Sequence, residues 1–276
     1  MEVDSTYLAQ GFVDIDRSGK FHVYEKCLND IDAIPYFQEI KHRSYRLLHL
    51  ETSEALLEIG CGLGNDLYRM AKIVPEHCRL TGIDRSRTMI DKARENPQFS
   101  LLPHLTFTVA DGKALPFEAE SFDRCRIDRT LQHIPEPQRV IREVSRVLKP
   151  GGRVVIYDND WSSFSLSLKE TSVSRMIENY WCDAFVNGRI ALHLKRYLKE
   201  EGFEEMTLYP STLLLESFEA ADAIYDIEET VMRIYREKQL KSKEAAEVIE
   251  SLKNASKKGT FLCALTSYTF SAQKKY

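Results

Sequence analysis

The sequence has no long apolar run and no recognisable secretory leader, and both absences narrow the class of protein. No stretch of about 18 consecutive apolar residues occurs, so we predict no membrane-spanning helix. The first residues, 1–4, include two acidic side chains and lack the basic-then-apolar order of a signal peptide. We therefore expect a cytoplasmic protein.

Positive charge is not in excess, and the cysteines do not cluster. Against 38 basic residues there are 42 acidic ones, which gives a formal net charge of −4. Nucleic-acid binding usually needs a basic face, so we expect no nucleic-acid partner.

The cysteines lack C-x-x-C spacing and predict reduced, buried thiols rather than disulfides or a zinc site, and we expect no metal. They are Cys27, Cys61, Cys78, Cys125, Cys182 and Cys263.

From about residue 55 onwards, short apolar runs alternate with amphipathic segments. This alternation predicts a parallel sheet that is covered by helices on both faces. Strands are predicted at 56–59, 80–83, 105–109, 122–127, 153–157, 206–214 and 261–270. Helices are predicted at 65–73, 87–95, 137–148, 171–185, 189–201, 218–236 and 242–252.

The chain length of 276 residues suffices for one large domain, or for one domain plus a cap. Residues 1–20 are polar and predict an arm outside the core. A helix over 30–50 follows, with apolar residues every three or four positions. We assign 1–50 as an arm and helix that form a lid, and 51–276 as the main domain. Helical cap elements are expected at about 160–200 and 217–256.

Three glycines at alternating positions, Gly60, Gly62 and Gly64, stand between a predicted strand and a predicted helix. Glycine permits a tight turn and lets a ligand approach the backbone, and the helix N-terminus presents unpaired N–H groups. A dinucleotide site has the spacing G-x-G-x-x-G, whereas Asn65 occupies the position of the last glycine here. Glu58 at the strand end also suits a cationic amino group better than a phosphate. The loop therefore predicts a ligand site that does not fit a dinucleotide.

Carboxylates follow the next two predicted strands. Asp84 ends the second strand twenty residues after Gly64 and can accept hydrogen bonds from both hydroxyls of a ribose. This fits NAD as well as S-adenosylmethionine. Asp111 precedes Gly112 after the third strand and can accept a hydrogen bond from an adenine amino group. A lone Asp-Gly pair would be only a turn, but in series with the other strand ends it predicts a binding position.

Together these segments resemble the class I S-adenosylmethionine-dependent methyltransferases, and within them the methyltransferase type 11 (ubiquinone/menaquinone-methyltransferase-like) group. The matching pieces are LLEIGCGLGND (56–66), TGIDRS (81–86), VADGKALPFEAESFD (109–123), RIDRTLQHIPEP (126–137) and RVLKPGGRVVIYD (146–158). The resemblance implies an α/β, Rossmann-like fold with a seven-stranded sheet in the order 3-2-1-4-5-7-6. The last strand is antiparallel, with helices on both faces and a helical cap. It also implies S-adenosylmethionine as cofactor and S-adenosylhomocysteine as product.

The resemblance further implies which residues bind the cofactor. They are Arg43, Glu58, Gly60, Gly62, Gly64, Asp84, Arg85, Asp111, Gly112, Ile127 and Asp128. Glu58 and the glycines are expected at the methionine end, Asp84 at the ribose, and Asp111 with Gly112 at the adenine. Arg43 is either the partner of the methionine carboxylate or a solvated charge on its helix.

Candidates for catalysis follow the fourth and fifth strands. His133 is a candidate general base because histidine titrates near neutral pH. Its position resembles that of the catalytic histidine in plant phenolic O-methyltransferases. Methyltransferases with carbon or nitrogen acceptors carry a histidine here too, so a structural or cofactor-contacting role stays open. Asp158 or Asp160 would orient an acceptor, with helix capping by Asp160 as the alternative, and Trp161 would form an aromatic wall.

The acceptor is expected to be a small molecule, because the chain is moderately acidic and carries inserted helices that can enclose a compact ligand. Aromatic residues in the N-terminal region favour a planar or hydrophobic acceptor. They are Tyr7, Phe12, Phe21, Tyr24, Tyr36 and Phe37. One alternative is a protein or RNA methyltransferase, which would need an open basic groove. Others are a non-catalytic S-adenosylmethionine-binding protein and a nicotinamide enzyme.

Overall fold

Five apolar segments form the parallel part of a central β-sheet in the computed structural model, which describes residues 7–276. They are β1 (Ala55–Ile59), β2 (Arg79–Asp84), β3 (Leu105–Val109), β4 (Phe122–Asp128) and β5 (Leu148–Asn159). All five residues of β1 are buried, as expected for a strand that is covered on both faces. The carboxyl ends of these strands lie along one edge of the sheet, which is where ligands bind in open α/β sheets.

Three further strands complete the sheet: β6 (Ser165–Leu166), β7 (Phe203–Leu215) and β8 (Cys263–Lys274). β8 lies between β5 and β7 and is antiparallel to both. The order is β3-β2-β1-β4-β5-β8, with β7 beside β8 and the two-residue β6 at one end of β8. The predicted order 3-2-1-4-5-7-6 is confirmed, because it differs only by β6, which the sequence did not predict.

The helices pack on both faces of the sheet and in a separate cap. Their bounds are α1 (Leu8–Gly11), α2 (Ile15–Ser18), α3 (Phe21–Asp32), α4 (Pro35–Leu48), α5 (Asn65–Met70), α6 (Arg87–Glu95), α7 (Pro137–Val147), α8 (Thr171–Ala184), α9 (Ile190–Glu200), α10 (Phe218–Tyr225), α11 (Ile227–Arg236) and α12 (Ser242–Lys257). Short 3₁₀ turns occupy Leu50–Thr52, Leu131–His133 and Trp161–Ser163.

Three apolar clusters show how these layers are held. Side chains from α4, α5 and α6 pack on one face of β1 and β2. Side chains from α7 and α9 pack on the other face, together with residues of β4 and β5. The third cluster joins the N-terminal residues to α8, α10, α11 and α12, and it forms the cap.

Two helices that the sequence predicted as continuous are broken. The predicted helix 30–50 is divided into α3 and α4 at Ile34, because the residue before Pro35 is pushed out of the helical region and has φ −81° and ψ 124°. The predicted helix 218–236 is divided into α10 and α11 at Asp226, which has φ 49°. Both breaks redirect the chain around the cap.

The arm that was predicted to lie outside the core is part of it. Tyr7 is 1% exposed and Ala9 is fully buried, and both belong to the cap cluster. The Tyr7 hydroxyl hydrogen bonds to Thr230 Oγ1 at 2.8 Å. The assignment of residues 1–6 to the arm lies outside the described residues. Across residues 7–276, no helix combines the length and the hydropathy that a membrane crossing requires.

Candidate active site

The glycine loop after β1 contains three residues with positive φ, at 73° for Gly60, 51° for Gly62 and 79° for Gly64. A Cβ atom on Gly60 would lie 2.2 Å from Oγ1 of Thr130, and one on Gly64 would lie 2.6 Å from the ring of Phe107. A Cβ atom on Gly62 would have open space around it. The outer glycines therefore allow close packing of the loop, and Gly62 leaves its backbone accessible to a ligand.

A cavity of about 460 Å³ opens beside this loop, along the carboxyl ends of the parallel strands. One side of it, here called the strand-end half, is lined by Gly60, Gly62, Asp84, Arg85, Ser86, Met89, Ala110, Asp111, Gly112 and Lys113. The other side, here called the aromatic half, is lined by Leu8, Phe12, Cys27, Ile31, Phe37, Arg129, Gln132, His133, Asn159, Trp161, Trp181, Phe185, Ile224, Tyr225 and Leu265. Asp128 lies at the end of β4, between the two halves.

In the strand-end half, Asp84 is held by two backbone donors. Its Oδ2 accepts a hydrogen bond from the N–H of Gly62 at 2.9 Å, and its Oδ1 accepts one from the N–H of Ser86 at 2.9 Å. Burial raises the pKa of this carboxyl, while the two N–H groups act in the opposite direction. A carboxylate oxygen can accept more than one hydrogen bond, so each oxygen keeps a lone pair for a ribose hydroxyl.

Four more of the predicted cofactor residues line the cavity: Arg85, Asp111, Gly112 and Asp128. Asp111 accepts a hydrogen bond from the N–H of Lys113 at 2.9 Å, and Gly112 and Arg85 line the same wall. Asp128 lines the cavity while its oxygens accept from Arg129 Nε at 2.8 Å and Arg126 Nη2 at 2.5 Å. These residues offer carboxylates and open backbone, which fits the hydroxyl and amino groups of an adenosine-containing ligand.

Four residues of the predicted cofactor set do not line the cavity. Ile127 is fully buried in the core, and Gly64 packs under Phe107. Glu58 is 2% exposed and is ion-paired with Arg126 below the loop. Arg43 donates to Ser211 Oγ at 2.7 Å and to Glu39 at 3.2 Å, because it lies on the side of α4 that faces β7.

Glu58 instead belongs to a buried ionic cluster beneath the site. Its members are Asp32, Lys41, Glu58, Asp66, Arg69, Arg126 and Asp128. Although burial alone would raise the pKa of Asp66, the charges of Arg126 and Lys41 hold it well below its ordinary value. The cluster ties α3, α4 and α5 to strands β1 and β4. Arg126 was not singled out in the sequence, where it is one of several charged residues in the strand FDRCRID (122–128).

His133 lies in the aromatic half, between the rings of Phe12 and Phe185 at centroid distances of 5.5 and 5.7 Å. Its Nε2 is 2.9 Å from Nε2 of Gln132. Burial, with a further contribution from the charge of Arg129, lowers the pKa of His133 to about 3. A base this weak is poorly matched to neutral pH, so the environment does not favour the general-base hypothesis.

The residues after β5 divide between packing and the cavity. Asp158 is fully buried and does not line the cavity, since its oxygens accept from the N–H groups of Gln132 at 3.3 Å and Asn159 at 3.0 Å. Burial raises its pKa to about 7. Asp160 caps the following 3₁₀ turn through the N–H of Ser162, as the capping alternative predicted. Trp161 forms part of the cavity wall.

The N-terminal segment, which the sequence predicted as a lid, lies against the site, and its contact through Asp16 was not predicted. Asp16 in α2 accepts hydrogen bonds from Ser86 Oγ at 2.6 Å and from the N–H groups of Arg87 at 2.9 Å and Thr88 at 3.1 Å. These are the first N–H groups of α6, which have no partner within their own helix. Phe12 and Leu8 line the aromatic half. The arm therefore covers both halves of the cavity.

The sequence matches a family model described as a methyltransferase domain over residues 50–238. The glycine loop, the Asp84 and Asp111 carboxylates and strands β1 to β7 fall within this match, and the chain belongs to this family. It is an S-adenosylmethionine-dependent methyltransferase, and S-adenosylmethionine is its cofactor.

Two relatives and one solved structure illustrate the similarity. The chain is 33% identical over 252 residues to an uncharacterised 37.1 kDa protein in transposon TN4556 of Streptomyces fradiae, covering 88% of this chain and 71% of that protein. It is 30% identical over 142 residues to a demethylmenaquinone methyltransferase of Oceanobacillus iheyensis, covering 49% of this chain and 59% of that enzyme. In fold it is similar to phosphoethanolamine N-methyltransferase 2 of Haemonchus contortus, with a TM-score of 0.59 and 17% identity, over 96% of this chain and 59% of that one.

Proposed function

We propose that the protein methylates a small-molecule acceptor that binds in the aromatic half while the cofactor occupies the strand-end half. The aromatic and apolar lining of this half is the observation that carries this proposal. Leu8 and Phe12 of the arm line it together with Phe185 and Tyr225 of the cap.

For the cofactor, we propose contacts of Gly60 and Gly62 with the methionine end, of Asp84 with the ribose, and of Asp111 with the adenine. Asp128 would stand beside the methionine ammonium, a place that the sequence assigned to Glu58. The supporting observation is that these residues line one continuous wall, on which Asp84 is oriented by backbone donors. Glu58 has no such access, because Arg126 holds it below the loop.

Catalysis on this proposal depends on positioning and on the exclusion of water. The bound cofactor supplies a methyl group that is already electrophilic. The walls of the aromatic half hold the acceptor in line and keep water out, and such positioning contributes roughly 7–11 kcal/mol in favourable cases. His133 stays neutral at pH 7 and serves as a polar contact rather than as a proton acceptor.

A methyltransferase that acts on protein or RNA is the alternative. It would need an open, basic groove beside the strand ends so that a polymer segment can reach the methyl group. The rings of Phe12, Trp161 and Phe185 line this region instead. This mainly apolar lining favours a compact acceptor.

The test is calorimetric titration with S-adenosylmethionine, S-adenosylhomocysteine and NADH, for the wild type and for Asp84→Ala. We expect saturable binding of both sulfur ligands, no binding of NADH, and a loss of about 10- to 100-fold in affinity in the variant, because a charged acceptor of hydrogen bonds is removed. Asp91→Ala is the matched control, since Asp91 is exposed on α6 outside the cavity. Equal losses in the two variants would contradict the ribose assignment.

The acceptor class is tested with methyl-labelled cofactor and a cell extract divided by size. Transfer to the fraction of small metabolites supports the proposal. Transfer confined to protein or RNA would contradict it.

A further inference from the structure

Three buried polar groups without partners line the aromatic half. Within residues 7–276, the buried side-chain atoms that lack a hydrogen-bond partner include His133 Nδ1, Trp181 Nε1 and Tyr225 Oη, and all three residues line the cavity. Buried polar groups are normally hydrogen-bonded, so a cluster of unpaired ones needs an explanation. A bound ligand that supplies the missing partners is the explanation that the position in a cavity favours.

The unpaired nitrogen of His133 is a donor, as its neighbours show. Trp161 Nε1 can only donate, and it is 2.9 Å from Oε1 of Gln132, which therefore accepts. Asn159 Nδ2 donates to the same oxygen at 3.2 Å. The Gln132 amide nitrogen consequently donates to Nε2 of His133 at 2.9 Å. Because His133 is neutral and its Nε2 accepts, its proton is on Nδ1.

Arg129 adds positive charge to this set of donors. Its Nε binds Asp128 at 2.8 Å, whereas its two terminal amino groups have no hydrogen-bond partner in the described part of the chain. Its guanidinium lies 5.1 Å from the ring centre of Phe37, which lines the aromatic half. The residue has φ 47°, and its N–H donates to the carbonyl of Tyr157 at 2.7 Å. The backbone is thus held in an unfavourable region while the side chain faces the cavity.

No carboxylate belongs to the aromatic half as defined above. The acidic residues that line the cavity are Asp14, Asp16, Asp84, Asp111 and Asp128. Asp84 and Asp111 belong to the strand-end half, Asp14 and Asp16 belong to the arm, and Asp128 between the halves is paired with both Arg126 and Arg129. A cationic amine in the aromatic half would therefore find a guanidinium and N–H groups, and the carboxylate beside it is already shared by two guanidinium groups. An anionic oxygen would find charge-assisted donors, which are the stronger kind of hydrogen bond.

We propose that the acceptor is an organic anion, an apolar or aromatic body that carries a carboxylate or phenolate oxygen bound by Arg129. His133, Trp181 and Tyr225 supply further donors to the same ligand. This inference rests on the proposed function, because it assigns the aromatic half to the acceptor. The methionine carboxylate of the cofactor is also an anionic oxygen group. The experiment therefore distinguishes whether Arg129 binds that carboxylate or the acceptor.

The experiment uses 3-phenylpropionate and its uncharged isostere 3-phenylpropionamide as probes, with the full-length protein saturated with S-adenosylhomocysteine. Binding is followed by tryptophan fluorescence, because the two tryptophans of the chain, Trp161 and Trp181, both line the cavity. The acid is expected to bind about tenfold more tightly than the amide. Arg129→Met is expected to abolish this preference and to leave the affinity for S-adenosylhomocysteine and for the amide unchanged. Arg139→Met, at an exposed position on α7, is expected to keep the preference.

Each other outcome has a distinct meaning. Equal or undetectable binding of the two probes to the wild type at millimolar concentration overturns the proposal without any variant. A loss of S-adenosylhomocysteine affinity in Arg129→Met overturns it too, because Arg129 would then hold the cofactor carboxylate. Failure of the wild type to bind S-adenosylhomocysteine contradicts the cofactor placement under the proposed function instead. Tyr225→Phe removes one donor and is expected to reduce the preference for the acid partly.

Discussion

The strand-end half and the aromatic half of the cavity are built in different ways. The strand-end half comes from three short loops, at 60–62, 84–89 and 110–113, each directly after a parallel strand. The aromatic half comes from segments as distant as Leu8, His133 and Leu265. Neighbouring strand ends are placed by the sheet, whereas the aromatic half exists only after the arm and cap have packed. One half is a property of local sequence, and the other is a property of tertiary packing.

The contacts of the aromatic half are mainly between rings. Trp161 stacks on Phe185 with centroids 4.3 Å apart, and Tyr7 contacts the edge of Trp181 at 5.4 Å. The arm is joined to the cap by the hydrogen bond between Tyr7 and Thr230. On the proposed function, side-chain replacements in the arm and cap would change acceptor specificity and leave the strand-end half intact.

Arg126→Met tests whether the buried ionic cluster supports both halves at once. Loss of the guanidinium leaves Glu58, Asp66 and Asp128 without their shared cation. Breaking a buried ion pair costs about 3–5 kcal/mol. We expect urea-induced unfolding to show a decrease of this size in the free energy of unfolding. S-adenosylhomocysteine binding should be lost near the new midpoint concentration of urea. Arg142→Met, at a side chain that is 65% exposed, is expected to change stability by less than about 0.5 kcal/mol. A similar small change in Arg126→Met would mean that the cluster is dispensable.

Gly60→Ala and Gly62→Ala separate packing from ligand access within one loop. Both positions have positive φ, which costs an alanine about 1–2 kcal/mol. Gly60→Ala also forces a Cβ atom onto Thr130, which adds about 1–3 kcal/mol. We expect Gly60→Ala to lower the unfolding free energy by the larger amount. Gly62→Ala should lower S-adenosylhomocysteine affinity with the smaller loss of stability, as measured by calorimetry and urea unfolding. Equal stability losses would contradict the assignment of separate roles.

His133→Phe tests the electrostatics of the aromatic half through pH. The pKa of His133 is depressed to about 3 in the folded protein, from an ordinary value of 6.5. As the pH falls below 6.5, the unfolded chain binds a proton at this residue and the folded protein does not, so stability is lost down to about pH 3. Between pH 7 and pH 4.5 the wild type should lose about 2 kcal/mol more than His133→Phe.

Asp158 titrates in the opposite sense, because its folded pKa is raised to about 7. Its contribution to the free energy of unfolding decreases as the pH rises from 3.8 towards 7. This effect is common to both proteins and cancels when wild type and His133→Phe are compared. Parallel pH profiles for the two proteins would show that His133 titrates normally in the fold.

Asp16→Ala tests the attachment of the arm to the strand-end half. The variant leaves the first N–H groups of α6 without their acceptor, which costs about 1 kcal/mol as for the loss of a helix cap. Burial alone would raise the pKa of Asp16, but hydrogen bonds from Ser86 and Thr88 lower it below 3.8. This stabilisation is therefore present above about pH 4 and is lost as the pH falls through the folded pKa. Thermal unfolding of the wild type and of Asp16→Ala at pH 7 and pH 3 measures this stabilisation. An equal difference in stability between the two proteins at both pH values would contradict the role of the carboxylate.

The fold and the strand-end half were largely predictable. The glycine loop, Asp84 and Asp111 follow strands, and the parallel sheet brings successive strand ends to one edge whatever the rest of the chain does. Glu58 was predicted at the methionine end of the cofactor, whereas the structure places it below the loop in an ion pair with Arg126. Its position on β1 does not tell whether a cavity or a cation lies opposite. Arg43 was placed on the correct helix, but the packing of β7 decided which side of that helix it faces. The two helix breaks differ in predictability, since a proline indicates the first whereas Asp226 carries no comparable signal.

The sequence by itself determined the alternation of strands and helices, the glycine loop and the carboxylates at the strand ends, because these depend on residues within a few positions of one another. The strand order followed from the family resemblance, since it joins segments as distant as β5 and β8. Tertiary structure alone decided the hydrogen-bond partner of His133, the exposure of Arg129 to the cavity and the ring contacts of the aromatic half. Those features depend on contacts between residues such as Phe12 and His133, more than a hundred positions apart. Burial and charge at such contacts are set by the packed neighbours, and no short stretch of sequence encodes them.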